Sequence, residues 1–393
     1  MSRQIIPVIM MFILIAGSSP ASLASASEGG QGIAILVSDN GADMAVAQNV
    51  GELLGAEVFV SPWGMYSAEI SAEILSSEPE RVIIIGGPVA VPEEYTKDFS
   101  VFGISYERWY GETRYETNRA VMSALKEEFP SVFSGITTVV IANGRDILAI
   151  EDYMNRYAGK SVLILTDAGR EALTMQVLRE FGSLSEVKYI ETGSFPVDKN
   201  GLGSWIRTHF GNVSFENVSP APGPLEVYSL LTVVENRTRR AEGLLDGLQV
   251  PQAKKKLESA RKAVELAWEK YRMGRYEEAY RLAVKAGTDS DFVIAAAYRE
   301  LRTVYQGSLE LRLRIELTNL EVMAGVLKRR GYDVSDIEAL LDRARGALQE
   351  GDYSTVLNDL LPRIRGMLAE KTVRRAASRG SGRSPPARRP GRP

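Results

Sequence analysis

The chain has 393 residues, 45% of them hydrophobic, with no cysteine, one histidine and a formal net charge of −3 at pH 7. The absence of cysteine excludes disulfides, thiol catalysis and cysteine metal sites, and the single His209 excludes a metal site built from several histidines. A chain of this length can bury enough apolar surface to be stable without cross-links.

The first 26 residues have the organisation of a secretory signal peptide. Arg3 supplies a positive start, residues 5–16 are apolar, and Ala24-Ser25-Ala26 is a small-residue cleavage site. The apolar run is shorter than the roughly 20 residues that span a bilayer, although an uncleaved anchor or a buried helix is an alternative. We therefore expect an exported, extracellular protein that is associated with the cell envelope.

Positive charge is concentrated at the other end of the chain. Residues 371–393 carry eight basic side chains and no acidic one, and they are rich in Pro, Gly, Ser and Ala. Such a composition predicts a disordered tail, which could contact an anionic membrane surface peripherally. The remaining body is acidic, which argues against nucleic acid as a partner because phosphate binding needs a basic face.

Between Gly32 and Val218, short apolar runs alternate with stretches of helical periodicity, which predicts an α/β fold with a parallel sheet covered on both faces. The predicted strands are Ile33–Val37, Glu57–Val60, Arg81–Ile85, Tyr106–Trp109, Thr138–Ala142, Val162–Thr166, Val187–Ile190 and Val213–Phe215. The predicted helices are Ala42–Leu54, Tyr66–Leu75, Glu93–Phe99, Thr113–Phe129, Ile147–Tyr157, Glu171–Phe181 and Lys199–His209.

The same order of elements occurs twice, which predicts two tandem parallel-sheet α/β repeats at 32–112 and 113–218. In the corresponding alignment Asp43 falls beside Asp146, and Gly87 falls beside Gly193. The alternative is that any two α/β halves look alike at this level of detail.

A proline-rich linker at 219–224 separates the α/β part from a region of different character. Residues 225–370 are rich in Ala, Leu, Glu, Lys and Arg at helical spacing, which predicts an all-α domain. Residues 257–279 and 341–356 both read as two helices joined by a Gly-x-Tyr turn, so we expect an all-α domain of helical hairpins, loosely similar to tetratricopeptide hairpins.

Two segments stand out as candidate binding elements. Gly86-Gly87-Pro88 follows an apolar strand, where open α/β sheets bind ligands, although a tight turn without a ligand is the plainer interpretation. Arg114-Tyr115-Glu116-Thr117 follows Thr113, which with Glu116 forms a helix-capping box. Arg114 could bind a carboxylate or phosphate of a polymer and Tyr115 could stack on a sugar, or Arg114 could pair with a carboxylate of the body and lock the two repeats together.

The strand ending in Ile85-Gly86-Gly87, together with the Arg-Tyr-Glu-Thr stretch, resembles the second cell-wall-binding repeat family of clostridial surface proteins. The resemblance implies compact α/β repeats, three in tandem around a pseudo-threefold axis, that hold a protein non-covalently to anionic wall polymers. The ligand-binding residues that it implies are Gly86, Gly87, Arg114, Tyr115, Glu116, Thr117 and Asp43.

The chain departs from this family's pattern in its second half. Thr192-Gly193-Ser194 stands where Gly-Gly is expected, and no second Arg-Tyr-Glu-Thr follows. Only two copies are visible, so a threefold platform would require self-association. The helical part and the lack of cysteine are similar to envelope proteins of heat-loving archaea, which lack clostridial wall polymers. The archaeal resemblance implies a cell-surface glycan, a surface-layer protein or a lipid surface as the ligand, and the clostridial resemblance implies an anionic polymer.

We therefore predict a non-catalytic envelope protein without cofactor or metal, whose α/β repeats bind a surface component and whose helical domain is a spacer or protein-interaction module. The alternatives are a two-lobed solute-binding protein, a purely structural interaction protein, and a metal-dependent hydrolase using Asp39, Asp43 or Asp146. Helix capping is the ordinary role of such aspartates. Asn212 and Asn236 lie in sequons and are predicted glycosylation sites.

Overall fold

The computed structural model describes residues 32–157, 159, 161–306 and 308–380, with 302, 304–306 and 372–380 described only as backbone. The predicted signal segment and residues 381–393 lie outside the described residues. The described part divides into two compact units, one of residues 32–222 with 301–380 and one of residues 223–300. Among the described residues, no helix is both long and apolar enough to cross a membrane.

The first repeat is a four-stranded parallel sheet in the order β2-β1-β3-β4. Its strands are β1 (Ile33–Ser38), β2 (Glu57–Ser61), β3 (Arg81–Ile85) and β4 (Ser105–Trp109), and its helices are α1 (Gly41–Leu54), α2 (Ala68–Ser77) and α3 (Glu94–Val101). The side chains of Val82–Ile85 are fully buried, because helices cover both faces of the sheet and both sets of alternating side chains enter a core.

The second repeat has the same sheet order, β6-β5-β7-β8, again with all strands parallel. Helices α4 (Arg114–Glu128) and α5 (Pro130–Ser134) lead into it, and its own elements are β5 (Thr138–Asn143), α6 (Ile147–Arg156), β6 (Val162–Thr166), α7 (Glu171–Leu178), β7 (Glu186–Ile190), α8 (Lys199–Phe210) and β8 (Ser214–Val218).

The strand register is repeated as well as the order. Ala34 pairs with Glu57 in the first sheet as Val139 pairs with Val162 in the second, and the same shift in residue number relates the other pairs of these strands. The predicted fold class, two parallel-sheet α/β repeats followed by helices, is confirmed.

One apolar core runs through both repeats. It contains Ile35 and Ile85 from the first sheet, Val121 from α4, and Val140 and Ile164 from the second sheet, all of them fully buried. Apolar side chains from both repeats therefore leave water together, so the two sheets are parts of one folded unit.

Two asparagines, one on α4 and one on α1, cover the outer edge of strand β6. The side-chain amide of Asn118, on α4, donates to Leu163 O (2.8 Å) and accepts from Leu165 N (3.0 Å). Asn49, on α1, donates to Ser161 O at 2.7 Å. These bonds satisfy peptide groups that an edge strand would otherwise leave unpaired, and the whole of β6 is buried.

The last helices of the chain belong to the same unit as the repeats. They are α12 (Leu309–Arg329), α13 (Ser335–Gln349), α14 (Tyr353–Thr355), a π-helical turn (Val356–Leu360) and α15 (Leu361–Gly380). Leu313 and Leu317 of α12 share an apolar cluster with Ala72 and Leu75 of α2, and Tyr332 donates to Glu78 at 2.9 Å.

The helical region predicted as one domain over 225–370 is therefore divided near residue 300. The reason is that α2 has two apolar faces, one on the first sheet and one that α12 covers. Helix α15 also continues to Gly380, so the first residues of the tail predicted as disordered are helical, in keeping with the helix-forming Lys, Arg and Ala side chains there.

The second unit, residues 223–300, consists of α9 (Pro224–Leu245), α10 (Pro251–Arg272) and the larger part of α11 (Tyr276–Gln306). Val234, Ala263 and Ala286 bring one face of each helix into a small core. Thr238, the third residue of the sequon at Asn236, is buried and hydrogen-bonds to Ser290 Oγ at 2.8 Å. Asn236 itself is exposed, as is Asn212 in the other unit, and glycosylation of either stays a prediction.

Candidate functional site

The Gly86-Gly87 turn lies at the carboxyl end of β3, as the sequence predicted, and its polar groups are used within the repeat. Gly86 has a φ of 116°, in the region that favours glycine, and its N–H donates to Trp109 O at 3.1 Å. Arg108 donates one guanidinium nitrogen to both Gly86 O (2.8 Å) and Val91 O (3.0 Å). Burial lowers the pKa of Arg108, but its charge is retained beside Glu93.

Gly87 O accepts hydrogen bonds from the amides of Ala90 and Val91, both at 2.9 Å, so the turn closes on itself. A Cβ at Gly87 would lie 3.2 Å from the ring of Tyr110, which packs over this position and is still 49% exposed. The glycine therefore makes room for an exposed aromatic ring.

The Arg-Tyr-Glu-Thr stretch opens helix α4. Thr113 and Glu116 form the predicted capping box, in which Glu116 accepts from the Thr113 amide at 3.0 Å. Thr117 is buried and its hydroxyl accepts from the Gly111 amide at 3.1 Å. Two of the four signature residues thus fix the strand-to-helix turn.

The other two signature residues contact the second repeat. Arg114 donates to Gly144 O at 2.5 Å, and the Tyr115 hydroxyl donates to Asp167 Oδ2 at 3.0 Å. A Cβ at Gly144 would lie 2.8 Å from the ring of Tyr115 and 2.9 Å from Arg114 Cδ, so the absence of a side chain there permits the contact.

Asp167 is the centre of this contact, and the sequence analysis did not single it out. Asn143 donates to it at 3.1 Å, Arg145 Nε at 3.0 Å, and Arg170 lies over the Tyr115 ring, 4.8 Å from its centre. Burial alone would raise the pKa of Asp167, but the hydrogen bonds from Arg145, Tyr115 and Asn143 outweigh it and hold the pKa below its ordinary value.

Asp43 lies in the first turn of α1, buried beneath the Gly86 turn, with its carboxylate 3.9 Å from the place of a Gly86 Cβ. Burial raises the pKa of Asp43 to about 6, and the charge of Arg114 partly opposes that shift. The structure therefore brings together three of the predicted site residues, Asp43, Gly86 and Arg114, inside the fold.

Asp39 and Asp146 have structural roles. Asp39 accepts from the Trp63 amide at 2.9 Å. Asp146 caps α6 and also accepts from the Thr192 amide at 2.7 Å, which holds the turn after β7. As a helix cap it corresponds to Asn40, the cap of α1, whereas the sequence alignment placed it beside Asp43. Among the described residues, no group of three or more acidic or histidine side chains could hold a metal ion.

An open groove of about 490 Å³ lies beside this contact, between α4 and α7. Its lining consists of Tyr110, Gly111, Glu116, Arg119, Ala120, Ser123, Gln176, Arg179 and Glu180. Arg119 donates to Gln176 at 3.3 Å and Arg179 lies 5.6 Å from the ring centre of Trp205. Neither arginine forms an ion pair with any carboxylate in the described part of the chain.

The sequence analysis missed this groove. One available signal was the helical spacing of Glu116, Arg119, Ala120 and Ser123, which puts them on one face of α4 directly after the exposed Tyr110. The contribution of α7 had no such signal, because only folding brings Gln176 and Arg179 to the same place.

Comparisons with known proteins give two findings, and no protein-family model matches the chain. The chain is 30% identical over 261 residues to uncharacterized protein MJ0755 of Methanocaldococcus jannaschii. The aligned stretch covers 64% of this chain and 71% of the relative. Among solved structures, Cwp6 from Clostridium difficile aligns with a TM-score of 0.39 and 20% identity, over 48% of this chain and 30% of that chain. Membership of the cell-wall-binding repeat family stays a prediction.

Proposed function

Given that this chain belongs to the same family as the uncharacterized protein MJ0755 of Methanocaldococcus jannaschii, we propose that it is a non-catalytic protein of the cell envelope that binds a surface polymer carrying acidic and hydroxyl groups. The binding site is the groove between α4 and α7. The signal-like start of the chain supports an exported location.

The side chains of the groove carry this proposal. Arg119 and Arg179 offer guanidinium groups without a carboxylate partner among the described residues, and a guanidinium binds carboxylate or phosphate in a bidentate manner. Tyr110 adds an exposed ring on which a sugar can stack, with Gln176 beside it for hydroxyl groups. Because the groove is open, a long polymer can lie along it.

The groove also changes the role proposed for the signature residues. Arg114 and Tyr115 bind Gly144 and Asp167 of the second repeat, so the role proposed for them is to position the groove. Replacing both with alanine would disturb the contact between the repeats, and loss of binding in such a variant would not identify a ligand contact.

The test is sedimentation of the mature chain, residues 27–393, with isolated envelopes and with envelopes stripped of glycan. The double variant Arg119→Ala/Arg179→Ala should bind intact envelopes at least about tenfold more weakly, since each lost charge-assisted hydrogen bond contributes roughly 1.5–3 kcal/mol. Arg312→Ala/Arg343→Ala removes the same charge from two exposed helix positions and should bind as the unchanged chain does. Equal loss in both variants, or none in the first, contradicts the proposal.

A second candidate is a purely structural, protein-binding role for the chain. It is favoured by the fact that Arg114, Tyr115 and Thr117 each make a side-chain hydrogen bond within the fold. This candidate predicts that stripping glycan leaves envelope binding unchanged and that protease treatment of the envelopes abolishes it. Polymer binding predicts the opposite pair of results.

A further inference from the structure

The first repeat has an open sheet edge where the second repeat has a covered one. Strand β2 is the counterpart of β6, because Ile35 pairs with Val58 as Val140 pairs with Leu163. All residues of β6 are buried, whereas in β2 Glu57 is exposed and both Val58 and Val60 are partly exposed. Among the described residues, the same structural position is therefore less covered in the first repeat.

The side-chain hydrogen bonds show the same difference between the edges of β2 and β6. At β6, Asn118 binds Leu163 O and Leu165 N. The equivalent groups of β2 are Val58 O and Val60 N, and no side chain among the described residues is hydrogen-bonded to either. Unpaired peptide groups on an edge strand form a template for a further partner.

The second repeat has an asparagine, Asn155, at the position that corresponds to the covering side chain of Asn49. Asn49 follows Asn40, the cap of α1, by the same number of residues by which Asn155 follows Asp146, the cap of α6. Asn49 is buried and binds Ser161 of the second repeat, while Asn155 is exposed and its side chain makes no hydrogen bond to another described residue. The second repeat thus presents the asparagine that the open edge of the first repeat lacks.

We propose that the β2 edge binds the α6 face of a second copy of this chain. Within one molecule, Asn49 binds the peptide group just before β6. In the proposed contact, Asn155 of one copy binds the peptide groups at the start of β2 of another copy in the same way.

The geometry of this contact is head-to-tail, because the edge and the helix face are different surfaces of one molecule. Such contacts grow into rings where the rotation closes and into filaments where it does not. The inference goes beyond polymer binding, since the groove between α4 and α7 takes no part in it.

Two measurements on the mature chain, residues 27–393, test the proposal. Sedimentation velocity should show a mass that rises with protein concentration. Hydrogen exchange should show that the amide of Val60 exchanges fast in dilute solution and becomes protected as the mass rises, while the Leu165 amide, already bound by Asn118, stays protected throughout.

Asn155→Ala should weaken the association about fivefold, the effect of one lost hydrogen bond. Asn358→Ala is the matched control, an exposed asparagine on another helix, and should associate as the unchanged chain does. The proposal is overturned if the chain stays monomeric at every concentration, if Val60 exchange is independent of concentration, or if both variants associate equally.

Discussion

At the scale of single residues, the contact between the repeats depends on one tyrosine and the carboxylate that it reaches. Tyr115 is 6% exposed, so the bond from its hydroxyl to Asp167 is made out of water, where it is worth more than at the surface. Neighbouring donors on Asn143 and Arg145 satisfy the rest of the carboxylate. The tyrosine of the signature is therefore a structural residue of the repeat pair.

Tyr115→Phe should lower the free energy of unfolding by about 1.5–3 kcal/mol at neutral pH, because a hydrogen bond to a charged group is lost. Urea denaturation followed by circular dichroism measures the change. Since the folded-state pKa of Asp167 is depressed, its contribution is present at neutral pH and is lost as the pH falls through that pKa. The difference between the variant and the unchanged chain should therefore narrow in acid.

Tyr106→Phe provides the control for this prediction, because Tyr106 is 41% exposed and its hydroxyl makes only a long, exposed contact with Ser100. It should change the stability by no more than about 0.5 kcal/mol. Equal destabilisation by the two variants would contradict the role assigned to Tyr115.

Asp43→Asn should stabilise the protein at neutral pH. Burial raises the folded-state pKa of Asp43 to about 6 from its ordinary 3.8, so the folded chain binds more protons than the unfolded chain in this interval. The raised pKa of Asp43 stabilises the folded chain at pH values below 3.8. This stabilisation is lost as the pH rises through about 6, and the loss is as much as roughly 3 kcal/mol.

Thermal unfolding at about pH 4.5 and pH 7.5 tests the prediction, because most of the interval between the two pKa values, 3.8 and about 6, lies between those conditions. The unchanged chain should lose stability between the two conditions, and Asp43→Asn should lose much less. Asp342→Asn, at a carboxylate with about three quarters of its side chain exposed, should leave the pH profile as it was. A parallel shift in both variants would remove Asp43 as the source of the pH dependence.

At the scale of elements, the strands were predicted to within a few residues at either end. Apolar runs such as Ile83–Ile85 are buried on both faces, and a continuous run of this kind is typical of a strand in a parallel sheet. Helix starts were predictable where caps were present, as at Thr113. The short helix α5 (Pro130–Ser134) was missed, since a single turn has no periodicity.

The packing of α12 on α2 had no such signal. Both helices show apolar spacing, but spacing does not say which apolar faces meet. In the structure Tyr332 of the α12–α13 connection reaches Glu78, and Arg329 of α12 pairs with Glu69 of α2 at 3.3 Å. The apolar residues of the two helices form the larger part of this contact.

Leu317→Ala tests that packing, because Leu317 is 2% exposed within the cluster that joins α12 to α2. It should cost about 2–5 kcal/mol, the usual range for a buried leucine truncated to alanine. The hydrogen exchange of α2 amides should rise with it. Leu309→Ala, at a position on the same helix that is 40% exposed, should cost much less. Slow exchange in α2 despite Leu317→Ala would show that α12 does not protect it.

At the scale of the whole molecule, the chain returns to its α/β part after residue 300. Residues 301–380 lie in one unit with both repeats, and residues 223–300 form the other. Removing everything after the linker would therefore uncover the apolar face of α2, and reduced binding in such a truncated chain would report lost packing as well as a lost spacer. For this reason the assays proposed above use the whole mature chain with point variants.

What the amino-acid sequence determined by itself is the set of elements and their repetition, because burial on both faces, helix caps and glycine turns leave local patterns. Only the tertiary structure decided the partners: Tyr115 on Asp167, Asp43 under the Gly86 turn, Asn118 on the β6 edge and α12 on α2. Hydrophobic burial is non-directional and these contacts join residues far apart in the chain, so no local spacing encodes them. For the same reason the sequence could predict a ligand at the signature, whereas in the fold Arg114 and Tyr115 contact the second repeat and Glu116 and Thr117 fix the start of α4.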